Sequence, residues 1–176
     1  MLDLAKRFKF SYPDHLAHPV VGVSWYAAWA YCLWLTMLAD DGIEYRLPTE
    51  KEWEWAAGGR RDVADEVLKV GKYLWGDEPE PTAKHANYAV NEGATTPVGR
   101  YSDGATPEGL YDMAGNVWEW MENWYDDGEC VKALRGGSWN LNPGGLACFV
   151  RVNGFPGRWG NGIGFRVVRP SPAAKG

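Results

Sequence analysis

Cysteine thiols are the side chains in this chain with the widest range of chemistry. The three are Cys32, Cys130 and Cys148, and their spacing matches neither a CxxC pair nor a zinc-binding pattern. An odd number excludes complete disulfide pairing within the chain. Because free cysteines are among the most buried residue types, buried or free thiols without a catalytic role are expected.

Histidines give an equally weak chemical signal. His15 and His18 lie in a proline-flanked stretch, and His85 stands alone in a long region without a repeating pattern. No carboxylate is paired with them in the sequence. Surface or capping roles are therefore favoured over a metal site built from histidines.

The segment from Asn140 to Ile163 is distinguished by the residue types that it lacks. It contains no Asp, Glu, Lys, Gln or Met, although solvated loops normally carry such residues because they stay hydrated at little cost. Small, apolar and aromatic residues stand there instead, including Phe155 and Trp159. Exposed aromatics on a rigid platform give binding surfaces their affinity. The segment is therefore interpreted as a displayed ligand-binding surface rather than an active site.

Composition limits the classes of function. The 176 residues suffice for one domain with a full core, and the 11 Trp and 22 Gly indicate an irregular, loop-rich fold. A net charge of −5 disfavours a protein that binds nucleic acid by neutralising phosphates. The sequence shows no signal peptide and no apolar stretch long enough to span a membrane. Localisation stays unknown, and display on a cell or virus surface through another part or partner remains open.

Two helices are predicted to position these residues. The first runs from Trp25 to about Leu38 with Ser24 as its N-cap. The second runs from Glu50 to about Ala57, because Thr49 and Glu52 form a capping box. Helical spacing predicts a buried stripe on the first helix, made of Val23, Ala27, Ala30, Trp34 and Leu38.

Loops and short strands are expected in the rest of the chain. Residues 60–108 show no lasting period, whereas Lys132–Trp139 and Gly164–Val168 are typical of strands bounded by glycines. Some of the tryptophans outside the C-terminal segment are predicted to pack in the core: Trp53, Trp55, Trp118, Trp120 and Trp124.

Five segments, taken in order, resemble the formylglycine-generating-enzyme (sulfatase-modifying factor) domain, a variant of the C-type lectin fold. They are His18–Trp25, Arg46–Glu54, Gly109–Trp120, Arg135–Trp139 and Gly164–Val168. The resemblance implies an α+β fold with two helices around small antiparallel sheets and much irregular loop. It divides the chain into a lead-in at 1–17, a domain at 18–170 that contains the ligand-binding segment 140–163, and a tail at 171–176.

The enzymes of this family use two cysteines as copper ligands, and the resemblance locates the matching positions. They stand two and seven residues after the aromatic residue of the Gly-Gly-Ser-aromatic motif, which is Trp139 here. Leu141 and Leu146 occupy them, and a leucine side chain cannot bind copper. No copper and no formylglycine-generating activity are therefore expected. An enzyme of this type and an unspecialised scaffold module remain the alternatives.

The same segment resembles the variable region of diversity-generating retroelement proteins, in which adenine-containing codons are randomised. Altering the two adenines of an asparagine codon cannot yield Lys, Glu, Gln, Met or Trp, whereas Trp159 fits an arginine codon. The resemblance implies an unknown protein or glycan ligand. A plain alternative is that the segment is buried under the N-terminal half. The predicted variable positions are Leu141, Gly144, Gly145, Cys148, Val150, Val152, Gly154, Phe155, Gly157, Trp159, Gly160 and Gly162.

A structural calcium ion is the one cofactor expected. Asp112 and Glu119 offer carboxylate oxygens, the backbone carbonyls of Gly115 and Val117 lie between them, and calcium takes six to eight oxygen ligands. The family binds calcium at positions that match these four residues. In the alternative, Asp112 caps a turn and Glu119 pairs with an arginine, either Arg135 or Arg166.

Overall fold

The computed structural model describes residues 16–58, 60–61, 68–69 and 71–170. Its helices are α1 (Trp25–Ala39) and α2 (Glu50–Ala56), which confirms both predicted helices. Ser24 accepts a hydrogen bond from the backbone N–H of Ala27, and Thr49 with Glu52 forms the predicted capping box. Short 3-10 turns lie at Ser102–Gly104 and Pro143–Leu146.

The main sheet has four strands in the order β5-β4-β3-β6. They are β3 (Trp118–Trp124), β4 (Lys132–Arg135), β5 (Arg151–Gly154) and β6 (Ile163–Gly164), and a separate ribbon pairs β1 (Arg60–Arg61) with β2 (Leu68–Lys69). The sheet is mixed rather than antiparallel as expected, because β6 pairs in parallel with β3. The reason is topological: after β5, residues 155–162 return the chain across the sheet before β6 begins.

The last predicted strand is wrong in its bounds. Regular pairing involves only Ile163 and Gly164, and Val168 instead makes an isolated bridge with Arg46. The residues after Gly164 leave β3 and cross toward the segment between the two helices.

Strand β3 separates two hydrophobic clusters, because alternate side chains of a strand point to opposite faces. Trp120 packs with Ala28, Leu134 and Ile163 on one face, whereas the neighbouring Met121 belongs to the cluster around Trp53 on the other. The predictions for Trp53 and Trp120 are confirmed. The prediction for Trp55 is wrong, since it is 60% exposed. Residues two apart on a helix point in nearly opposite directions, so α2 buries only one of its tryptophans.

Helix α1 contacts the core through a different side from the one predicted. Its buried residues are Ala28 and Cys32, whereas Trp34 and Leu38 are mostly exposed. The helix is apolar on every side, so the sequence carries no amphipathic signal from which to orient it. Within the described ranges, no helix combines the length and the hydropathy needed to span a membrane.

The buried carboxylate of Glu50 links α2 to three strands. Arg135 on β4 donates to it at 2.7 Å, Arg151 on β5 donates at 2.9 and 2.7 Å, and Asn123 on β3 donates at 3.0 Å. Arg135 also pairs with Glu54. Burial alone would raise the pKa of Glu50, but the hydrogen bonds from Arg151 and Asn123 and the two positive charges hold it below its usual range.

Neutralising this carboxylate should destabilise the fold. We expect Glu50→Gln to lower the free energy of unfolding by about 3 kcal/mol at neutral pH, because it leaves buried arginine charge uncompensated. The folded-state pKa of Glu50 lies below its ordinary value of 4.5, so its contribution is complete above about pH 4.5 and is lost as the pH falls through the folded-state pKa. Urea denaturation from neutral to acidic pH measures both effects.

The matched control is Glu80→Gln, which removes the exposed partner of Lys72 and should change the stability little. If the difference in the free energy of unfolding between the wild type and Glu50→Gln stayed constant from neutral to acidic pH, the ionised, paired state assigned to Glu50 would be contradicted.

Candidate ligand-binding surface

Residues 155–162, which connect β5 to β6, are held by backbone hydrogen bonds from two parts of the chain, the residues that lead into α1 and the start of β3. Pro156 O accepts from the first N–H of α1, at Trp25, at 3.0 Å. Gly160 O accepts from Gly22 N at 3.0 Å, and Gly162 O accepts from Trp118 N at 2.8 Å. The connection therefore has a fixed path although it is irregular.

The first half of the Asn140–Ile163 segment is fixed in the same way. Leu141 O accepts from Ala89 N at 2.7 Å, and Cys148 N donates to Lys72 O at 2.8 Å. The Arg135 guanidinium donates to the carbonyls of Cys148 at 3.1 Å and Val150 at 3.3 Å. The network around Glu50 thus also positions this loop.

Three aromatic side chains of the segment project from this fixed backbone. Phe149, Phe155 and Trp159 are 63%, 68% and 71% exposed. Phe155 and Trp159 were predicted as surface residues. Phe149 was not predicted, although phenylalanine is among the residues that a diversified asparagine codon can yield, and that signal would have found it.

The structure places the twelve predicted variable positions at three depths. Those exposed are Gly144, Phe155, Gly157 and Trp159. The half-buried group comprises Leu141, Gly145, Val150, Val152 and Gly160. The buried group is Cys148, Gly154 and Gly162.

The buried group does not belong to the exposed surface, contrary to the expectation from the sequence. The Cys148 thiol lies 3.8 Å from Ala57 O within the core. A Cβ at Gly154 would lie 2.9 Å from the Trp120 ring, and a Cβ at Gly162 would lie 3.2 Å from Ser138 Oγ. In this packing, a larger side chain at either glycine would force its neighbour to move.

The two buried thiols, Cys32 and Cys148, are in surroundings that suppress their reactivity. Burial raises the pKa of Cys148 to about 12 and that of Cys32 to about 11, so neither forms appreciable thiolate near neutral pH. Leu146, at one predicted copper-ligand position, is buried in the core, and Leu141, at the other, packs beside Gly145.

The two described histidines, His18 and His85, make contacts that support the fold. His18 lies 3.0 Å from Thr95 Oγ1, and His85 accepts a hydrogen bond from Thr82 N and stacks on Trp75. His15 lies outside the described residues. Among the described residues, no group of three or more His, Cys, Asp or Glu side chains is placed to hold a metal ion.

One of the predicted calcium residues, Glu119, is buried and forms an ion pair with Arg166. Glu119 accepts two hydrogen bonds from Arg166, both at 2.6 Å, and one from Trp53 Nε1 at 2.8 Å. Asp112 accepts from Gly99 N at 2.7 Å, and burial raises the pKa of its carboxyl group. Gly115 has a φ of +80°, and a Cβ there would lie 2.4 Å from Asn87 O. Oxygen donors of the kind that calcium binds are therefore present, but Arg166 competes with an ion for Glu119.

The model of the sulfatase-modifying factor enzyme 1-like domain matches residues 5–171. The chain belongs to this family. Its architecture is accordingly the formylglycine-generating-enzyme type of C-type lectin fold. Among solved structures, Treponema denticola variable protein 1 superposes with a TM-score of 0.72 at 27% identity, covering 86% of this chain and 70% of that one. CarF superposes with a TM-score of 0.70 at 29% identity, covering 92% and 71%.

Relatives in the sulfatase-modifying factor family carry names that imply different activities. The chain is 36% identical over 174 residues to the serine/threonine-protein kinase pkn1 of Chlamydia caviae, covering 89% of this chain and 25% of that protein. It is 35% identical to the inactive C-alpha-formylglycine-generating enzyme 2 of Mus musculus, covering 88% and 50%. The formylglycine-generating enzyme of Thermomonospora curvata is 37% identical, covering 65% and 36%.

The chain thus spans about a quarter to a half of the length of these curated relatives. Membership of the family fixes the fold. Because both enzymes and an inactive homologue share it, function must be argued from the side chains of this chain.

The calcium site remains a prediction, and heat denaturation tests it. We expect calcium at about 100 times its Kd to stabilise the chelator-treated protein by about 2.7 kcal/mol, seen as a higher melting midpoint. Asp112→Asn should lose this rise. Magnesium is the control ion, because it prefers smaller octahedral sites. Equal midpoints with and without millimolar calcium would contradict the prediction.

Proposed function

We propose that this chain is a non-catalytic ligand-binding protein whose contact surface is the Asn140–Ile163 segment, diversified by a retroelement. The observation that carries the proposal is the pairing of a fixed backbone with exposed aromatic side chains. Phe149, Phe155 and Trp159 project into solvent from a loop that hydrogen bonds hold along its length.

Such an arrangement suits binding for two physical reasons. Aromatic side chains bury a large area on contact and have few rotatable bonds, so they lose little entropy when a ligand orders them. A backbone that is already fixed does not have to be ordered on binding, which removes a further cost. Aromatic anchors of this kind dominate the energetics of protein interfaces.

Diversification is supported by the order of residues in the segment, in which positions that the fold needs are followed by positions whose side chains or Cα atoms are exposed to solvent. Arg151 is committed to Glu50, and Gly154 lies against the Trp120 ring, so changes there would disturb the fold. Phe155 and Gly157 follow directly and are exposed. A scaffold of this kind tolerates replacement at chosen positions only. The similarity to Treponema denticola variable protein 1 agrees with this role.

A non-catalytic role is supported by the chemistry of the residues at the family's copper positions. Leu141 and Leu146 have no atoms that ligate copper. Cys148, the nearest thiol in the sequence, is buried with a raised pKa. The ligand that we propose is a protein or a glycan, since the chain's net charge of −5 disfavours nucleic acid.

Deep sequencing of this gene across a natural population tests diversification directly. We expect codon changes to concentrate at the exposed and half-buried positions of the segment and to replace adenines of a nearby template copy beside a reverse transcriptase gene. Arg151 and Gly154 are the internal controls, because their neighbours in the fold do not permit replacement. If the segment had the same sequence in every individual and no template copy were found, diversification by a retroelement would be excluded. Ligand binding would still be tested separately.

Paired alanine substitution tests binding. Phe155→Ala with Trp159→Ala should abolish the signals that the wild-type chain gives on glycan and protein arrays. Because both rings are exposed, the free energy of unfolding should change by only about 0.5 kcal/mol. Trp55→Ala is the matched control, since it removes an equally exposed ring outside the segment. A double variant that retains the array signals, or that unfolds, would contradict the assigned surface.

A further inference from the structure

Helix α1 has an outer surface that the described part of the chain leaves largely exposed. Its 15 residues include no charged side chain, and only Ala28 and Cys32 are buried. A surface helix normally turns polar residues to solvent, whereas a helix that is apolar on all sides is usually covered on all sides. Much of α1 is therefore available for another contact.

The outward face of α1 has the spacing by which helices pack on one another. Tyr26, Ala30, Leu33 and Met37 follow at intervals of four, three and four residues, and we call these four residues the α1 seam. The intervals match a and d positions of a coiled coil over fewer than two heptads, and the exposure of the side chains, rather than the spacing, distinguishes this face from the others. Tyr26 is 57% exposed and Met37 is 81% exposed. The seam lies opposite the side on which Ala28 contacts the core.

We propose that the α1 seam packs against the α1 seam of a second copy of this chain, forming a two-fold symmetric dimer. A two-fold axis brings the same stripe from both copies together, so one apolar stripe supplies both sides of the interface. The seam carries no charge, so the net charge of −5 does not place like charges within the contact.

The area is sufficient for a concentration-dependent dimer. Trp29 and Trp34 flank the seam, and both are about half exposed. Together with Tyr26, Leu33 and Met37 they offer roughly 500 Å² per copy, taking roughly 150–250 Å² for each large side chain. Two copies would bury roughly 1,000 Å², the lower limit for a specific interface.

Dimerisation would pair the two candidate ligand-binding surfaces. The first residue of α1 is hydrogen-bonded to Pro156, so each helix is fixed to the loop that carries Phe155. Two linked surfaces bind a multivalent ligand more tightly than one, through avidity. This consequence depends on the proposed function, whereas the dimer itself does not.

Sedimentation velocity over a range of protein concentrations tests the proposal without any ligand. We expect a shift from one chain mass to twice that mass as the concentration rises through the micromolar range. The variant Leu33→Glu with Met37→Glu should stay monomeric, because it would bring four carboxylates into the contact. Val98→Glu is the matched control at an exposed apolar residue outside the helix and should dimerise as the wild type does. Circular dichroism confirms that each variant is folded.

Cross-linking provides a second measurement. In a Cys130→Ser background, which removes the exposed thiol, Ala30→Cys should form a covalent dimer under mild oxidation. A wild type that stays monomeric at about 100 µM would overturn the proposal. So would a dimer that persists in the doubly acidic variant, binding of the monomer to lipid vesicles through the seam, or a seam that becomes accessible only after residues 1–15 are removed.

Discussion

The carboxylate of Glu50 is the interaction on which the arrangement of the sheet and the C-terminal loop depends. A buried charge is tolerated only when it is paired and hydrogen-bonded, so the groups around it must converge. Its partners Asn123, Arg135 and Arg151 lie 73, 85 and 101 residues away in sequence. Arg135 then donates onward to the carbonyls of Cys148 and Val150. One charge centre thereby fixes α2, three strands and the start of the candidate binding surface.

This constraint divides the Asn140–Ile163 segment into two kinds of residue. Arg151 lies in the middle of the segment but belongs to the charge centre, and replacing it would leave Glu50 short of a partner. Phe155, four residues later, contributes little to the core because most of its surface is in solvent. A surface built for altered contacts therefore need not be less stable, provided that the alterations avoid the paired positions.

Local signals in the sequence predicted what is local in the structure. Both helix starts are fixed by side chains within three residues, and Thr49 with Glu52 is readable as a capping box without any tertiary knowledge. The sequence did not indicate which side of a helix or which loop residues would face the core. Helix α1 has no polar side from which to infer its orientation, and the burial of Cys148 depends on segments near Ala57 and Lys72. The sequence offers both Arg135 and Arg166 as partners of Glu119, and only the fold selects Arg166.

Helix α1, like the Asn140–Ile163 segment, has some residues that the fold needs and others that are exposed to solvent. The fold needs only a narrow side of the helix, around Ala28 and Cys32, together with the cap that meets Pro156. Lysine or glutamate at the outer positions would favour the helix at least as well as Tyr26 or Trp34 and would keep it soluble. The described residues leave this apolar outer face largely in solvent. A second apolar surface that covers this face is the physical reason that we propose for it, because a helix that is apolar on every side is normally covered on every side.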